Sequence, residues 1–363
     1  SLFLAQRSRP YQGSNTVPKR FQKSHSLGEI MSDVIALGCG LVGKFVVRKL
    51  LENGKSVTVV DLKVPEEIAH LENVNAIEGD VFSILETLPH GKVVVNMLPG
   101  RIGDKVRPKL LESKHQIIDL AFTLEDPSKY SNLAKANNCS LLWDVGIAPG
   151  LSNMLVKKGR NMIGELDLVH IKVGGNPSKK DSNWSYMAPF SPSDVIEEYT
   201  RPARIIENNQ MVNVPALSER HLIDVEYHGK MEAFLTDGLR SIMDSIPAKE
   251  MKEFTVRWPG HIDKWINEGI DMDEDKLLAE WKFDNNREEF TWLEVKVQNQ
   301  KSKVRWMVYD NGKDGDSSMA RTTGLVTAAC TMLFLENGPL QGCGLEPGIH
   351  APENISDSSI EYI

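Results

Sequence analysis

Cysteine is scarce in this chain, with only four among 363 residues. They form no CxxC pair and have no metal-ligand spacing with the nine histidines; they are Cys39, Cys139, Cys330 and Cys343. The sequence therefore predicts neither a disulfide framework nor a metal site. Because disulfides are rare in reducing compartments, this cysteine usage favours a cytoplasmic location.

Long apolar runs and an excess of basic residues are also missing. No apolar run reaches the ~18 residues that a membrane-spanning helix needs, so we expect no membrane span. The chain has 42 Lys and Arg against 50 Asp and Glu, which gives a net charge of −8. That balance offers no general electrostatic reason to bind nucleic acid or an anionic membrane, and we expect neither as a partner.

Acidic residues are nearly absent from residues 1–30, where Glu29 is the only one. The same segment is rich in basic residues and in Ser, Asn, Gln and Pro. This composition fits a translated leader ahead of a start at Met31, and it also fits an organellar transit peptide. Such a segment buries too little apolar surface to offset the entropy of ordering. We therefore expect residues 1–30 to be disordered and to contribute nothing to catalysis.

A glycine-rich turn opens the part of the chain that shows a fold pattern. The apolar run 34–37 leads into Gly38, Gly40 and Gly43, in the spacing G-x-G-x-x-G, and apolar residues at helical spacing follow. These glycines allow a tight turn, backbone approach to a pyrophosphate and close packing of helix on strand. A second apolar run ends at Asp61, 18 residues after Gly43, near the roughly 20 expected for a ribose-binding carboxylate. The combination predicts a dinucleotide-binding unit.

Apolar runs alternate with helical stretches up to about residue 150, at 34–37, 56–60, 93–95, 116–118 and 140–143. This alternation predicts an α/β fold with a doubly wound parallel sheet, the Rossmann arrangement, over residues 31–150. Ligands of such sheets bind outside the carboxyl ends of the strands. Four polar residues end these runs and should face one crevice: Asp61, Asn96, Asp119 and Asp144.

Residues 151–316 have a different pattern and predict a second α+β domain with a mixed, mostly antiparallel sheet. The segment 166–173 alternates like a strand and stops at Gly174, and two pairs of alternating runs, around 228–229 and 299–302, predict hairpins. Ser191 is a helix N-cap candidate, and that helix should end near residue 200. A helix rich in small residues begins at Ser318, and we expect segment 317–345 to return to the nucleotide domain.

The sequence resembles the saccharopine dehydrogenase family over residues 34–343, and within that family most resembles the lysine 6-dehydrogenases. The resemblance rests on segments 38–43, 96–100, 144–153, 190–204, 236–241, 257–261 and 321–324. It implies a Rossmann domain followed by a domain that binds substrate and forms a homodimer. It also implies oxidation of the ε-amino group of L-lysine to the semialdehyde with release of ammonia. Asp61 favours NAD as the cofactor over NADP, because a carboxylate repels a 2′-phosphate.

Two other functions stay open on the sequence alone. One is a saccharopine or carboxynorspermidine reductase, which would act on a secondary amine. The other is a regulatory protein that binds NAD without turnover. An amino acid as small-molecule partner is common to the two enzymatic interpretations.

The expected site divides into three sets of residues. The cofactor set is Gly38, Cys39, Gly40, Leu41, Val42, Gly43, Asp61, Asp80, Asn96, Met97, Leu98, Pro99 and Asp119. The resemblance implies that Arg201 binds the substrate carboxylate, with Tyr199, Arg240 and His261 beside it. Asp144 is the expected catalytic group, since hydride cannot leave carbon until the ammonium has lost a proton. Asp119 is the alternative.

Overall fold

A computed structural model describes residues 32–189 and 192–363 of the chain. The segment expected to be a leader and the N-cap expected at Ser191 lie outside these residues. The described part forms two sheets, each with its own helices, and the expected fold class is confirmed.

The first sheet has seven strands that are all parallel. They are β1 (Val34–Leu37), β2 (Val57–Asp61), β3 (Val74–Glu78), β4 (Val93–Asn96), β5 (Gln116–Asp119), β6 (Ser140–Leu142) and β15 (Gly348–His350). Their spatial order is β15-β6-β5-β4-β1-β2-β3, so the winding reverses between β1 and β4. Ligands of doubly wound sheets bind at that reversal. Every residue of β1 is buried, as expected of a central parallel strand.

Helices connect the strands of this sheet and cover it. They are α1 (Leu41–Glu52), α2 (Glu66–Ala69), α3 (Val81–Ile84), α4 (Gly100–Glu112), α5 (Ser131–Ala136) and α6 (Leu151–Ile163). Helix α1 turns Phe45, Val46 and Leu50 towards the core, which is the apolar face that its helical spacing predicts. Its N-terminus lies directly after the glycine turn, so its unpaired backbone N–H groups face the reversal point.

The second sheet is mixed. Its strands are β7 (Leu166–Pro177), β8 (Ala203–Glu207), β9 (Gln210–Val214), β10 (His221–Val225), β11 (Gly229–Leu235), β12 (Ala248–Arg257), β13 (Glu289–Gln298) and β14 (Lys303–Asp310). The main path is β10-β11-β12-β7-β13-β14, and β8 joins β12 to β9. Strands β12 and β7 pair in parallel, whereas the other pairs are antiparallel. Short helices lie between these strands: α7 (Pro192–Thr200), α8 (Ile242–Ser245), α9 (His261–Lys264) and α10 (Glu274–Glu280).

The chain then runs back to the first sheet through α11 (Ser318–Cys343), and α12 (Asp357–Tyr362) ends it. Helix α11 packs on α1 and bends at Gly338, where φ is 72°. By length and composition alone, α11 could cross a membrane, but 72% of its most apolar window is buried inside the protein. Among the described residues it is the one helix with that property, and its burial is that of a core helix.

Two features of the strands depart from the sequence expectation. Strand β7 does not stop at Gly174 but continues to Pro177. A side chain at Gly174 would lie 2.3 Å from the carbonyl oxygen of Val256 on β12, so glycine here allows the strands to approach closely. Strands β3 and β15 form the two edges of the first sheet, and the sequence pattern predicts neither.

Candidate active site

A cavity of about 720 Å³ lies between the two sheets, at the reversal point of the first. Its walls at one end come from the glycine turn, the ends of β2 and β4, and the start of α3. At the other end they come from β7, the segment that follows β11, β12, α7 and α11. One continuous space therefore joins a nucleotide-type turn to polar side chains of the second sheet.

The glycine turn is shaped by steric limits that only glycine meets. Gly38 has φ of 92°, and a side chain there would lie 2.8 Å from the carbonyl oxygen of Met97. A side chain at Gly43 would lie 2.4 Å from the carbonyl oxygen of Gly38. A side chain at Gly40 would meet no atom within 4 Å, so open space lies over the N-terminus of α1. That space and the free N–H groups beside it fit a pyrophosphate.

Asp61 both holds the glycine turn and faces the cavity. Its Oδ2 accepts a hydrogen bond of 2.6 Å from the backbone N–H of Cys39. The carboxylate keeps further acceptor positions for a ribose hydroxyl. Asp80, which caps α3, also lines the cavity.

Most of the expected cofactor residues line this end of the cavity: Gly38, Gly40, Leu41, Val42, Gly43, Asp61, Asp80, Met97, Leu98 and Pro99. Cys39 does not, because its side chain is buried in the core of the first domain and only its backbone N–H belongs to the turn. Burial raises the pKa of the Cys39 thiol to about 12, so it stays a thiol.

Asn96 and Asp119 do not reach the cavity either, contrary to expectation. Asp119 is fully buried and receives hydrogen bonds from Arg107, with Nε to Oδ2 at 2.9 Å and Nη2 to Oδ1 at 3.3 Å. Asn96 donates to the same carboxylate at 3.0 Å and to the carbonyl oxygen of Gly103 at 3.2 Å. A carboxylate that is neutralised in this way has no contact with a ligand, so Asp119 is a structural residue of the strand end.

Asp144 lines the cavity as expected, but its carboxylate is paired. Arg240 donates from Nε at 2.7 Å and from Nη2 at 3.4 Å, and both side chains are buried. The guanidinium of Arg240 also lies over the rings of Phe122 and Trp143, 4.5 and 5.3 Å from their centroids. Burial raises the pKa of Asp144, and Arg240 opposes that rise. Arg240 itself is not part of the cavity wall, and its guanidinium binds Asp144 instead of facing the space where a substrate would lie.

Arg201 lies in the cavity wall with unused hydrogen-bonding capacity. Its Nε is 3.2 Å from Oδ2 of Asp237, yet it makes no hydrogen bond with any described residue. Arg204, by contrast, is fully engaged with Asp237, through Nε at 2.8 Å and Nη2 at 2.9 Å. Burial lowers the pKa of Arg201, which is the effect of a cation held away from water. Among the expected substrate residues, Arg201 is placed best for a carboxylate.

Tyr199 and His261, which were expected beside the substrate, lie behind the cavity wall rather than in it. The Tyr199 hydroxyl is 3.1 Å from Nε2 of His261 and accepts a hydrogen bond of 2.8 Å from Nε of Arg257. Burial lowers the pKa of His261 to about 3, so its ring is neutral. These two residues hold Arg257, and it is Arg257 that lines the cavity.

A row of hydrogen-bonded polar side chains in the cavity wall was not expected from the sequence. Thr236 donates to Oε2 of Glu253 at 2.5 Å, and its oxygen lies 2.8 Å from the Thr255 hydroxyl. Thr255 in turn donates to Glu198. Glu253 is only 3% exposed, and a side chain at Gly238 would lie 2.6 Å from its carboxyl carbon.

The sequence does contain a pattern that indicates these hydrogen-bonded side chains. Glu253, Thr255 and Arg257 alternate with the apolar residues Phe254 and Val256, so they share one face of β12. All three line the cavity. Polar residues at period two on a buried strand indicate a site, whereas isolated charged residues do not.

The sheet order and the glycine turn define an α/β protein in which a Rossmann-like parallel sheet is joined to a second, mixed sheet. The chain belongs to the family described as saccharopine dehydrogenase C-terminal domain, whose model matches residues 146–362. No group of three or more His, Cys, Asp or Glu in the described ranges could hold a metal ion.

One known protein is similar to this chain in sequence, and another is similar to it in structure. Alpha-aminoadipic semialdehyde synthase of Arabidopsis thaliana is 25% identical over 158 residues, which are 41% of this chain and 15% of that protein. The chain thus spans a small part of that relative's length. The structure of saccharopine dehydrogenase (L-Glu forming) from Saccharomyces cerevisiae matches with a TM-score of 0.73 at 17% identity, over 91% of this chain and 96% of that one. This match shows a shared fold.

Proposed function

We propose that the protein is an NAD-dependent oxidoreductase that oxidises the ε-amino group of L-lysine to the semialdehyde and releases ammonia. The observation that carries the proposal is the continuous cavity between the glycine turn and the polar wall of the second sheet. Family membership supports an oxidoreductase that acts on amino acids. When bound, the nicotinamide would accept a hydride from the carbon that bears the amino group.

The cavity wall offers groups of both charges to an amino acid. Carboxyl and guanidinium groups line it together: Asp144, Asp194, Glu198, Asp237, Glu253, Arg201 and Arg257. Asp144 and Asp237 are bound by Arg240 and Arg204, whereas Glu198 and Glu253 are bound by threonine hydroxyl groups and remain available to an ammonium group of lysine. Arg201 is our candidate for the carboxylate, because a guanidinium can bind both carboxylate oxygens.

Apolar residues between the two ends serve to exclude water. Ile147, Pro149, Val173 and Met319 line the cavity together with Gly175. A side chain at Gly175 would lie 3.0 Å from the Met319 methyl group, so glycine keeps the space open there. A dry passage strengthens the attraction between the substrate and the charged groups around it.

A secondary amine is the second candidate, because the family match and the yeast structure both carry the saccharopine dehydrogenase name. Saccharopine has more carboxylates than lysine and would need a second guanidinium group besides Arg201, and Arg257 lines the same cavity. Carboxynorspermidine carries several amino groups, which would need carboxyl groups as partners. Both would be substrates for reduction or oxidation at a C–N bond in the same cavity.

A single panel tests these functions. The purified protein is incubated with NAD or NADP and with L-lysine, saccharopine or carboxynorspermidine, while the absorbance of reduced nicotinamide is recorded. We expect NAD with L-lysine to give the fastest reduction. Turnover of a secondary amine alone would replace the first candidate by the second. Binding of NAD without any turnover would indicate a regulatory protein.

A further inference from the structure

A fully hydrogen-bonded chain of Glu253, Thr236, Thr255 and Glu198 needs one proton more than its hydroxyl groups supply. Three hydrogen bonds join the four side chains, but the two threonines provide only two hydrogens. The third must come from a carboxyl group. A fully bonded chain therefore holds one proton on Glu253 or on Glu198.

This proton can change ends without movement of any carbon, nitrogen or oxygen atom. When Glu253 is protonated, each group donates towards Glu198. When Glu198 is protonated, each group donates towards Glu253. Glu253 is buried, whereas Glu198 is partly exposed on α7, so the two ends of the chain differ in their access to water.

The surroundings of Glu253 make it a stronger base than an ordinary glutamate. Burial raises its pKa to about 8, and the nearby carboxyl groups of Glu198 and Asp237 act in the same direction. Other charged groups that line the same cavity are Asp61, Asp80, Asp144, Asp194, Arg201 and Arg257. An ordinary glutamate lies about six pKa units below a lysine ammonium, and at about 8 the gap falls to about two.

We propose that Glu253 accepts the proton that the substrate ammonium must lose, and that Thr236 and Thr255 pass protons between it and Glu198. This inference rests on the proposed oxidation of an amine. It assigns to Glu253 the task that the sequence analysis gave to Asp144, whose carboxylate is held by Arg240.

The step is a proton transfer and involves no oxidation or reduction. The step starts with Glu253 as a carboxylate: an N–H bond of the ammonium breaks, its electron pair stays on nitrogen, and an O–H bond forms on Glu253. The carboxylic acid then donates to Thr236, Thr236 donates to Thr255, and Thr255 donates to Glu198. Glu198 releases a proton to water, and Glu253 is a carboxylate again.

The first test needs no substrate or cofactor. Infrared spectra of the parent and of Glu253→Gln are compared between pH 6 and pH 10. We expect the parent to show a carbonyl band of a protonated carboxylic acid that disappears as the pH rises through about 8. The variant should lack this band. The same titrating band in both proteins, or its absence from the parent, would overturn the proposal.

The second test uses the amine that the parent oxidises. Glu253→Gln should lower kcat/KM at least ~100-fold, on the usual scale of general base catalysis, and should remove the rise with pH near 8. Thr255→Val should lower the rate and Thr255→Ser should restore it, because serine keeps the hydroxyl group. Thermal unfolding of each variant shows whether it is folded.

Glu250→Gln is the matched control, since Glu250 lies on β12 outside the cavity wall and contacts His170 at 2.8 Å. It should leave the rate and the pH profile unchanged. If the parent oxidises an amine and Glu253→Gln keeps its rate and pH profile, the inference is wrong while the proposed function stands. If the parent oxidises no amine in the panel, the proposed function fails and the role of Glu253 fails with it.

Discussion

At the scale of single residues, Asp61 connects the glycine turn to cofactor choice. One carboxylate oxygen accepts from the Cys39 N–H, and the side chain faces the cavity where a ribose would lie. The charge of this carboxylate and its hydrogen bond to the turn are separate properties. A substitution by asparagine removes the first and can keep the second.

We therefore predict that the parent prefers NAD and that both Asp61→Ala and Asp61→Asn narrow the ratio of kcat/KM between NAD and NADP. Loss of the charge removes the repulsion of a 2′-phosphate. Asp61→Asn should also keep the melting temperature of the parent, because its amide oxygen can still accept from Cys39. Equal turnover with both cofactors in the parent would contradict the prediction.

Arg201 and Arg204 give a matched pair for the substrate carboxylate. Arg201→Lys should raise KM for the amino acid at least about tenfold, because lysine cannot bind a carboxylate through two N–H groups. Arg204→Lys serves as control, since Arg204 is engaged with Asp237 and is not part of the main cavity wall. Initial-rate kinetics at saturating cofactor measure both. An unchanged KM in Arg201→Lys would remove Arg201 from the site.

Asp144 is expected to matter for stability. Asp144→Asn would leave the buried guanidinium of Arg240 without its counterion, and breaking a buried pair in this way typically costs about 3–5 kcal/mol. Chemical denaturation should show that loss in the free energy of unfolding. A second change, Arg240→Met, made in the same protein should recover part of it. If Asp144→Asn unfolds like the parent, the pair does not stabilise the fold.

The sequence predicts where the strand-end carboxylates lie but not what binds them. Asp119 and Asp144 both end apolar runs, so their place at the sheet edge follows from local pattern. Their partners do not follow, because Arg107 lies in the middle of a helix and Arg240 is 96 residues away from Asp144. A tertiary contact of this kind has no local signal, so the sequence does not indicate that Asp119 is bound by Arg107 and lies outside the cavity wall.

At the scale of secondary structure elements, α1 and α11 pack closely because Gly324 has no side chain. A side chain there would lie 2.4 Å from Cδ1 of Phe45. We predict that Gly324→Ala destabilises the protein by about 1–3 kcal/mol, the usual cost of overpacking. Leu325→Ala, on the exposed side of the same helix, should change little. Denaturant unfolding of both variants measures this, and equal effects would contradict it.

The elements that the sequence predicts are the central ones. Central parallel strands are buried on both faces and form continuous apolar runs, as β1 and β4 do. The edge strands β3 and β15 have little such signal: β3 is only partly buried, and β15 has three residues. Strand β7 was expected to end at its glycines. It continues past them, because glycine at position 174 allows the backbone of β7 to lie close to β12.

At the scale of the whole molecule, the buried titratable groups determine how stability depends on pH. Burial raises the pKa of Glu253 to about 8, so its contribution to stability is complete below about 4.5 and is lost as the pH rises through 8. Burial lowers the pKa of His261 to about 3 and that of His115 to about 4. These two histidines contribute stability that is fully present above pH 6.5 and is lost as the pH falls below that value.

Between pH 6.5 and pH 8 the histidines therefore contribute little to the change of stability with pH. Glu253 should make the parent less stable as the pH rises through this range. One proton limits the slope to about 1.4 kcal/mol per pH unit. Glu253→Gln should flatten this part of the curve. Denaturation of both proteins at a series of pH values gives the slope of the free energy of unfolding against pH. Equal slopes in the two proteins would contradict the prediction.

The overall fold follows from the sequence more fully than the site does. The G-x-G-x-x-G turn, the alternation of strands and helices and the later hairpins specify two sheets of known kind. The cavity wall, however, combines Glu198 on α7 with Glu253 on β12 and Gly38 before α1. The set of residues in this wall depends on how the two sheets pack against each other. The hydrophobic periodicity within either part of the chain does not predict that packing.

The return of the chain to its first sheet has a consequence for synthesis on the ribosome. Strand β15 pairs with β6 only after the whole second sheet between them has been translated. Until then the growing chain exposes the open edge of β6 and the surface of α1 that α11 later covers. Exposed strand edges and apolar helix faces are sites of aggregation in nascent chains. Folding of the first sheet should therefore be completed only once β15 has left the ribosome, and a chain that is stopped after β14 should be insoluble.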